Sequence, residues 1–270
     1  MTIHERDVEA AVAGLATTAP RTLAPAALVE VGLADAYART DSPIGSLLVA
    51  WNGLGVSAVA AAVSAPDDAS FQAAHAARTG RPAYPAEALP LKLETAIRRR
   101  LAGDRRVRID LDLRGHTAFE RNVWAKALEI PRGEVRPYGW IAAEIGRPRA
   151  VRAVGTALGH NPVPLIVPCH RVVRTDGTIG QYSLGGPANK RSMLASEGLD
   201  PIELEDLARA GIRFVGSDTT HIVCLPTCHN AKRITGPHRK PFRSLASAMA
   251  SGYRACLTCR PGSGVNPVAA

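Results

Sequence analysis

Five cysteines hold most of the chemistry this sequence can offer, and they fall into two groups. Cys169 stands alone in Leu165-Ile-Val-Pro-Cys-His-Arg-Val-Val173, while Cys224/Cys228 and Cys256/Cys259 form two close pairs. A thiol attacks only as the thiolate, which cationic neighbours favour. Cys169 is followed by His170, and five arginines (Arg147, Arg149, Arg152, Arg171, Arg174) with no acid lie between residues 147 and 174. The apolar run before Pro168 reads as a buried strand that stops with the thiol at its end. Neighbouring strand residues face opposite ways, so His170 can serve the sulfur only through a turn at Pro168 or a bridging water. A lone cysteine is often just a small buried hydrophobe; the adjacent Pro, His and Arg favour a reactive thiol instead.

The other four cysteines are spaced C-x3-C and C-x2-C with 27 residues between the pairs. Four thiolates close a tetrahedral zinc site. His221, His229 and His238 are possible substitute ligands. An odd cysteine beside two such pairs indicates one metal and one free thiol rather than disulfides. The chain from about Gly211 onward is polar and poor in apolar residues, and a small unit of that kind needs a metal staple. Nothing in the sequence calls for an organic cofactor.

Charge is unevenly placed. Residues 1–116 hold 13 basic and 13 acidic side chains, residues 117–210 hold 12 and 10, and residues 211–270 hold 8 and 1, so most of the net +9 sits at the end of the chain. A nucleic-acid partner fits this distribution; a solvated basic tail is the plainer reading. No run of 18 apolar residues is present, which argues against a membrane span, and the first 20 residues lack a signal-peptide layout. The expected location is cytoplasmic, associated with the nucleoid.

The elements that must position these residues can be read coarsely. Residues 1–33 are Ala-rich and helical in pattern, with breaks expected at Pro20 and Pro25. Ser46–Trp51 and Gly55–Ala60 are strand-like and joined at Asn52-Gly53, a hairpin signal. Residues 91–102 predict a helix, and the strict alternation of Val107–Leu113 predicts a half-buried strand. Thr117-Ala-Phe-Glu120 is a capping box. The helix it opens places Phe119, Val123, Ala127 and Ile130 on one face and ends at Pro131 and Gly133. Tyr138–Gly146, the turn Arg147-Pro148 and Arg149–His160 form a helix-turn-helix candidate, with plain helix packing as the alternative. The second of these helices is rich in small residues and has little to read base edges in the major groove. With Arg149 and Arg152 it suits sequence-tolerant contact in the minor groove. Residues 200–210 read as a short connecting helix.

Pro168-Cys-His-Arg171 with Val172-Val173 resembles the active-site motif of the O6-alkylguanine-DNA alkyltransferase family. The likeness also takes in Asp41-Ser-Pro-Ile-Gly45, Phe119-Glu-Arg-Asn-Val-Trp124, Ile130-Pro-Arg-Gly-Glu134 and Ser196-Glu-Gly198, about 60% of the chain in order. It implies that Cys169 is the acceptor of a methyl or alkyl group from the O6 atom of guanine, in one irreversible turnover. His170 would deprotonate it through a water, and Glu197 would orient His170. Asn161 would be a hinge beside the active-site segment. Tyr138 would sit by the DNA backbone and the flipped base, Arg152 would enter the duplex, Arg149 would supply further charge, and Tyr182 and Ser183 would line the base pocket. The implied partner is double-stranded DNA carrying alkylated guanine, bound through the minor groove with the base extruded, and the protein would act as a monomer.

Phe214-Val-Gly-Ser-Asp-Thr-Thr-His-Ile-Val-Cys224 and Gly252-Tyr-Arg-Ala-Cys-Leu-Thr-Cys-Arg-Pro261 resemble the Ada-type metal-binding domain. That likeness implies zinc on Cys224, Cys228, Cys256 and Cys259, and acceptance by Cys224 of a methyl from methylated DNA phosphates. The sequence departs from the pattern, with Leu225 where the family has Arg, Val223 where it has an aromatic, and the domain C-terminal. A DNA-tethering zinc module is the competing reading, and Lys232, Arg233, Arg239, Lys240 and Arg243 suit phosphate contact in both. Together these features predict an α+β protein: a ribonuclease-H-like domain over 1–115, a winged-helix-like acceptor domain over 116–205 and a zinc domain over 211–262. A zinc-containing DNA-damage sensor or transcriptional regulator is the alternative function.

Overall fold

The computed structural model describes residues 23–262; the helical reading of residues 1–22, with its break at Pro20, lies outside them. The first element is α1, Leu23–Glu30. Pro25 lies in its first turn and does not break it, because the N–H that proline lacks has no intrahelical partner there. Next come β1 Asp35–Thr40, β2 Leu47–Asn52 and β3 Gly55–Ala61, an antiparallel meander. The β2–β3 turn requires Gly53, since a Cβ there would meet the Glu30 carbonyl oxygen at 1.9 Å. Helix α2, Asp68–Thr79, is capped by the Asp67 carboxylate accepting from Ser70 N–H at 2.7 Å. It returns the chain to β4, Ala83–Pro85, which lies parallel to β1 and gives the sheet order β3-β2-β1-β4.

The sheet is covered on both faces. Tyr37, Leu48, Ala50 and Ala58 pack with Phe71 of α2, while Leu47, Val49, Val56 and Val59 join the main core. At one end of the sheet a buried ionic lattice ties distant segments together. Asp35 accepts from Asn52 Nδ2 at 2.8 Å and from Arg81 Nε at 2.8 Å, and Asp112 accepts from Asn52 Nδ2 at 2.8 Å and Arg114 Nη2 at 2.7 Å. After helix α3, Leu91–Leu101, the segment 107–113 is extended but is not the expected strand. Only Leu111 forms a bridge, opposite Val56. The half-burial that the alternation predicts is present: Ile109, Leu111 and Leu113 pack on the main core and Arg108 and Asp110 are exposed, while Asp112 turns inward to the lattice.

Helix α4, Ala118–Leu128, starts at the expected capping box, with both reciprocal bonds between Thr117 and Glu120 present. Its inner face buries Val123, Trp124 and Ala127, and Ile130 follows into the same core. A two-residue strand β5, Arg136–Pro137, leads into α5, Tyr138–Glu144, and then α6, Val151–Gly159. Trp124 Nε1 donates to Ala157 O at 2.8 Å and locks α6 onto α4. The run Leu165–Val167 is not a strand. Leu165 has φ +74°, which breaks any extended ladder, and Cys169–Arg171 forms a 3-10 turn. Strand β6, Val172–Val173, then pairs parallel with β5. Helices α7, Gly186–Ser196, and α8, Pro201–Arg209, follow.

The remaining chain builds a second four-stranded sheet. It consists of β7 Phe214–Ser217, β8 Ile222–Cys224, β9 Arg239–Phe242 and β10 Arg254–Ala255, in the order β10-β8-β7-β9, with short helices α9 His229–Lys232 and α10 Leu245–Ala250. Its apolar core is small: Val223, Leu245, Ala248 and Tyr253, beside the four cysteines. The architecture is α+β, as the sequence predicts. No helix among the described residues is long and apolar enough to cross a membrane.

Candidate active site and metal centre

Cys169 opens its 3-10 turn and is 5% exposed. Asn161 holds the turn from the end of α6. Its Nδ2 donates to Val167 O at 3.0 Å and to Cys169 Sγ at 3.2 Å, while its Oδ1 accepts from Val163 N–H at 3.1 Å. Burial pushes the Cys169 thiol up, and the Asn161 bond, the Lys190 charge and the Ser183 hydroxyl oppose that. The arginines near Cys169 in sequence are not what opposes it. Arg171 is turned away, with Nε and Nη2 on Glu197 and Nη1 donating to Ile130 O at 2.7 Å.

His170 is fully buried, and its Nε2 lies 2.9 Å from Glu197 Oε1. Burial opposes the Glu197 charge, but His170 and Arg171 hold the carboxyl down to about 2. An ionised carboxylate only accepts, so Nε2 carries the ring proton. That leaves Nδ1 as the basic nitrogen; it is buried and has no hydrogen-bond partner among the described residues. Burial lowers the His170 pKa against the raising influence of Glu197. Glu197 Oε2 also accepts from Gly133 N–H at 3.2 Å.

Tyr182 stands edge-on to His170, with ring centroids 6.0 Å apart, and its buried hydroxyl has no partner among the described residues. Burial and the nearby Cys169 and Glu197 charges push that phenol well up. Tyr138 is half-buried at the start of α5, and burial together with the Cys169 charge raises its pKa. Asn161 and Ser183, with Pro164, Leu184 and His160, line a pocket of about 440 Å³. The structure thus gathers Cys169, His170, Glu197, Asn161, Tyr138, Tyr182 and Ser183 around one centre. Arg149, in the turn before α6, and Arg152, in its first turn, lie apart from it and are exposed, with no side-chain partner among the described residues.

Lys190 belongs to the centre and was not singled out from the sequence. It is fully buried on α7, and Nζ donates to Val172 O at 2.6 Å and Gln181 O at 3.2 Å. Burial lowers its pKa to about 8, with the Cys169 charge opposing. The available signal was its spacing: Lys190, Met193 and Leu194 share the buried face of α7.

The second centre is built by the turns after β8 and β10. The sulfurs of Cys224, Cys228, Cys256 and Cys259 lie within 4.8 Å of one another and all four residues are buried. Tetrahedral zinc with bonds of about 2.3 Å needs sulfurs about 3.8 Å apart, so the set fits one ion. Leu225 N–H donates to Cys259 Sγ at 3.4 Å and Asn230 Nδ2 to Cys256 Sγ at 3.5 Å, contacts suited to thiolates. The Cys224 thiol is pushed up by its bonds to Cys228 and Cys259, while Cys228 is drawn down by Cys224. The four compete for protons that one dication would displace. None of the three histidines belongs to this set.

Residues 118–199 match the family described as 6-O-methylguanine DNA methyltransferase, DNA binding domain, and residues 202–262 match the metal binding domain of Ada. The crystal structure of Mycobacterium tuberculosis OGT in complex with DNA is 35% identical. Its match takes in 64% of this chain and 98% of that one, with a TM-score of 0.50. The chain belongs to this methyltransferase family. A Mycobacterium bovis protein named methylated-DNA–protein-cysteine methyltransferase is 53% identical over 89 residues, which are 33% of this chain and 53% of that protein. A mouse protein of the same name is 52% identical over 83 residues, 30% of this chain and 39% of the mouse protein. In sequence the chain thus spans about half the length of the curated mycobacterial relative. Beyond what that relative shares, the family member described here carries an Ada-type module, and its four cysteines form a zinc site.

Proposed function

We propose that this protein repairs DNA by moving an alkyl group from the O6 atom of guanine to Cys169, once per molecule. The observation that carries this reading is the arrangement around Cys169. A buried sulfur is held by Asn161, and a His170–Glu197 pair has its basic Nδ1 unpartnered. Through a bridging water, Nδ1 takes the thiol proton, and Glu197 stabilises the imidazolium. The thiolate attacks the alkyl carbon and the carbon–oxygen bond breaks with its electrons going to O6. The base regains a proton, so guanine is restored and a thioether remains.

The reaction requires the base outside the stack. Small residues on α6 permit close approach in the minor groove, with Arg152 entering the duplex and Arg149 at a phosphate. The alkylated base lies against Cys169, with Tyr138, Tyr182 and Ser183 around it. The zinc module adds phosphate contacts through Arg233, Arg239, Lys240 and Arg243. In this reading the described part of the 1–115 domain braces the acceptor unit of 116–205, residues 211–262 extend the DNA footprint, and the protein works as a monomer.

Peptide mass spectrometry after mixing with O6-methylguanine duplex tests the proposal. One methyl on the Cys169 peptide, with guanine restored, is expected. An unmodified Cys169 on bound DNA would sink the transferase and favour a damage sensor. The same spectrum with methyl-phosphotriester DNA reads Cys224: a methyl there makes it a second acceptor, and none leaves the module as a zinc-held DNA clamp.

A further inference from the structure

The zinc loop is bonded to the backbone that supports the active site. Thr227, between ligands Cys224 and Cys228, is 6% exposed, and its hydroxyl accepts from Val135 N–H at 2.9 Å and donates to Val135 O at 3.3 Å. His229 N–H donates to Glu134 Oε1 at 3.0 Å, and Lys232 Nζ donates to Gly133 O at 2.8 Å. Lys232 is therefore turned toward the acceptor unit and away from the phosphate contact expected of it.

Residues 133–135 lead to the chemistry by two routes. Gly133 N–H donates to Glu197 Oε2 at 3.2 Å, and Glu197 holds His170. Arg136 and Pro137, next in the chain, pair with Val172 and Val173, which directly follow the Cys169–Arg171 turn. Gly133 has φ +72°, and a Cβ there would lie 3.0 Å from Glu197 O and 3.5 Å from Lys232 Nζ, so the two units meet closely at this residue.

We propose that the zinc loop is a positioning part of the Cys169 site, with Thr227 and Lys232 fixing the 133–135 segment that orients Glu197 and β5. The inference rests on Cys169 being the alkyl acceptor. Cys224 and Cys228, which would hold zinc, flank Thr227 and precede His229, so a bound ion would keep both against the segment. A segment released by even ~1 Å lets Glu197 and His170 drift, and misplacement of that size costs on the order of 100-fold in rate.

The test uses full-length, zinc-loaded protein with zinc content measured on each sample. Thr227→Val, which removes both bonds to Val135, is expected to slow methyl transfer from O6-methylguanine duplex roughly ten- to hundredfold. It also moves the acid limb of the pH–rate profile to lower pH, because a displaced Glu197 no longer raises His170. Amide hydrogen exchange over residues 133–136 rises in the same sample. Lys232→Met changes rate and exchange in the same direction with zinc retained, and Lys232→Arg restores both. Wild-type rate, profile and exchange in zinc-loaded Thr227→Val overturn the proposal. If that variant loses zinc, Lys232→Met decides alone: unchanged exchange and rate overturn the coupling. If the wild type transfers no methyl, the function reading fails by itself, and exchange over 133–136 still decides whether the zinc loop holds this segment.

Discussion

Glu197 gathers the active-site electrostatics into one carboxylate. Its partners hold it at about 2 in the fold, against an ordinary value of 4.5. A carboxyl depressed by folding adds stability that is present above its unfolded pKa and lost as pH falls through the folded one. The difference corresponds to roughly 3 kcal/mol. Glu197→Gln is therefore expected to be less stable than wild type by about that amount at pH 7, with the gap closing from pH 4.5 toward 2. Urea titrations of both proteins at pH 7, 4 and 3 check it, and a gap independent of pH would refute the assignment. At this scale the sequence was informative wherever motif and chemistry coincided, as at Cys169, His170, Asn161 and Glu197. It misled where nearness in the chain stood in for nearness in space. Arg171 neighbours the thiol in sequence but is spent on Glu197, while Lys190, 21 positions on, is the cation that lowers the thiol.

Among the elements, α4 shows how a local signal fixes a distant one. The capping box at Thr117 sets where α4 begins, and Trp124 on α4 sets where α6 lies. Thr117→Ala should cost about 1 kcal/mol of stability and leave the rate of methyl transfer unchanged, since the folded protein keeps the Trp124–Ala157 bond. Chemical denaturation and a single-turnover assay on the same preparation read the two halves of that expectation. Helices α3, α4, α5, α6 and α8 and the β2–β3 hairpin were legible because caps, glycine turns and periodicity act locally, whereas α2 and α7 were not read from the sequence. The segments 107–113 and 165–167 were misread as strands. Alternation in the first reports a half-buried run, with Arg108 and Asp110 exposed, but the run meets the sheet only at the Leu111–Val56 bridge and does not continue as a strand. The second is broken by a positive φ at Leu165 that no side-chain pattern announces.

For the molecule as a whole, the charge distribution visible in the sequence becomes a prediction about salt. If Arg149 before α6 and Arg243 beyond β9 each neutralise a phosphate, replacing either by Ala should reduce the steepness of log K against log salt by about 1, with little effect on sequence preference. Fluorescence anisotropy across a salt series measures both slopes, and an unchanged slope removes that arginine from the interface. How the zinc module seats on the acceptor unit was not legible, because many of its bonds use backbone groups. One of them has an optical consequence. Trp140 donates to the carbonyl of the zinc ligand Cys259 at 2.9 Å and has the guanidinium groups of Arg136 and Arg260 at 5.6 and 5.5 Å from its ring. Trp51 and Trp124, the other two tryptophans, belong to the main core and touch no ligand. Chelating the zinc should free the Cys259 carbonyl, wet the indole of Trp140 and shift emission to the red, and Trp140→Phe should abolish that shift. The protein thus carries its own lamp for metal occupancy, readable in real time in the same sample as a methyl-transfer assay.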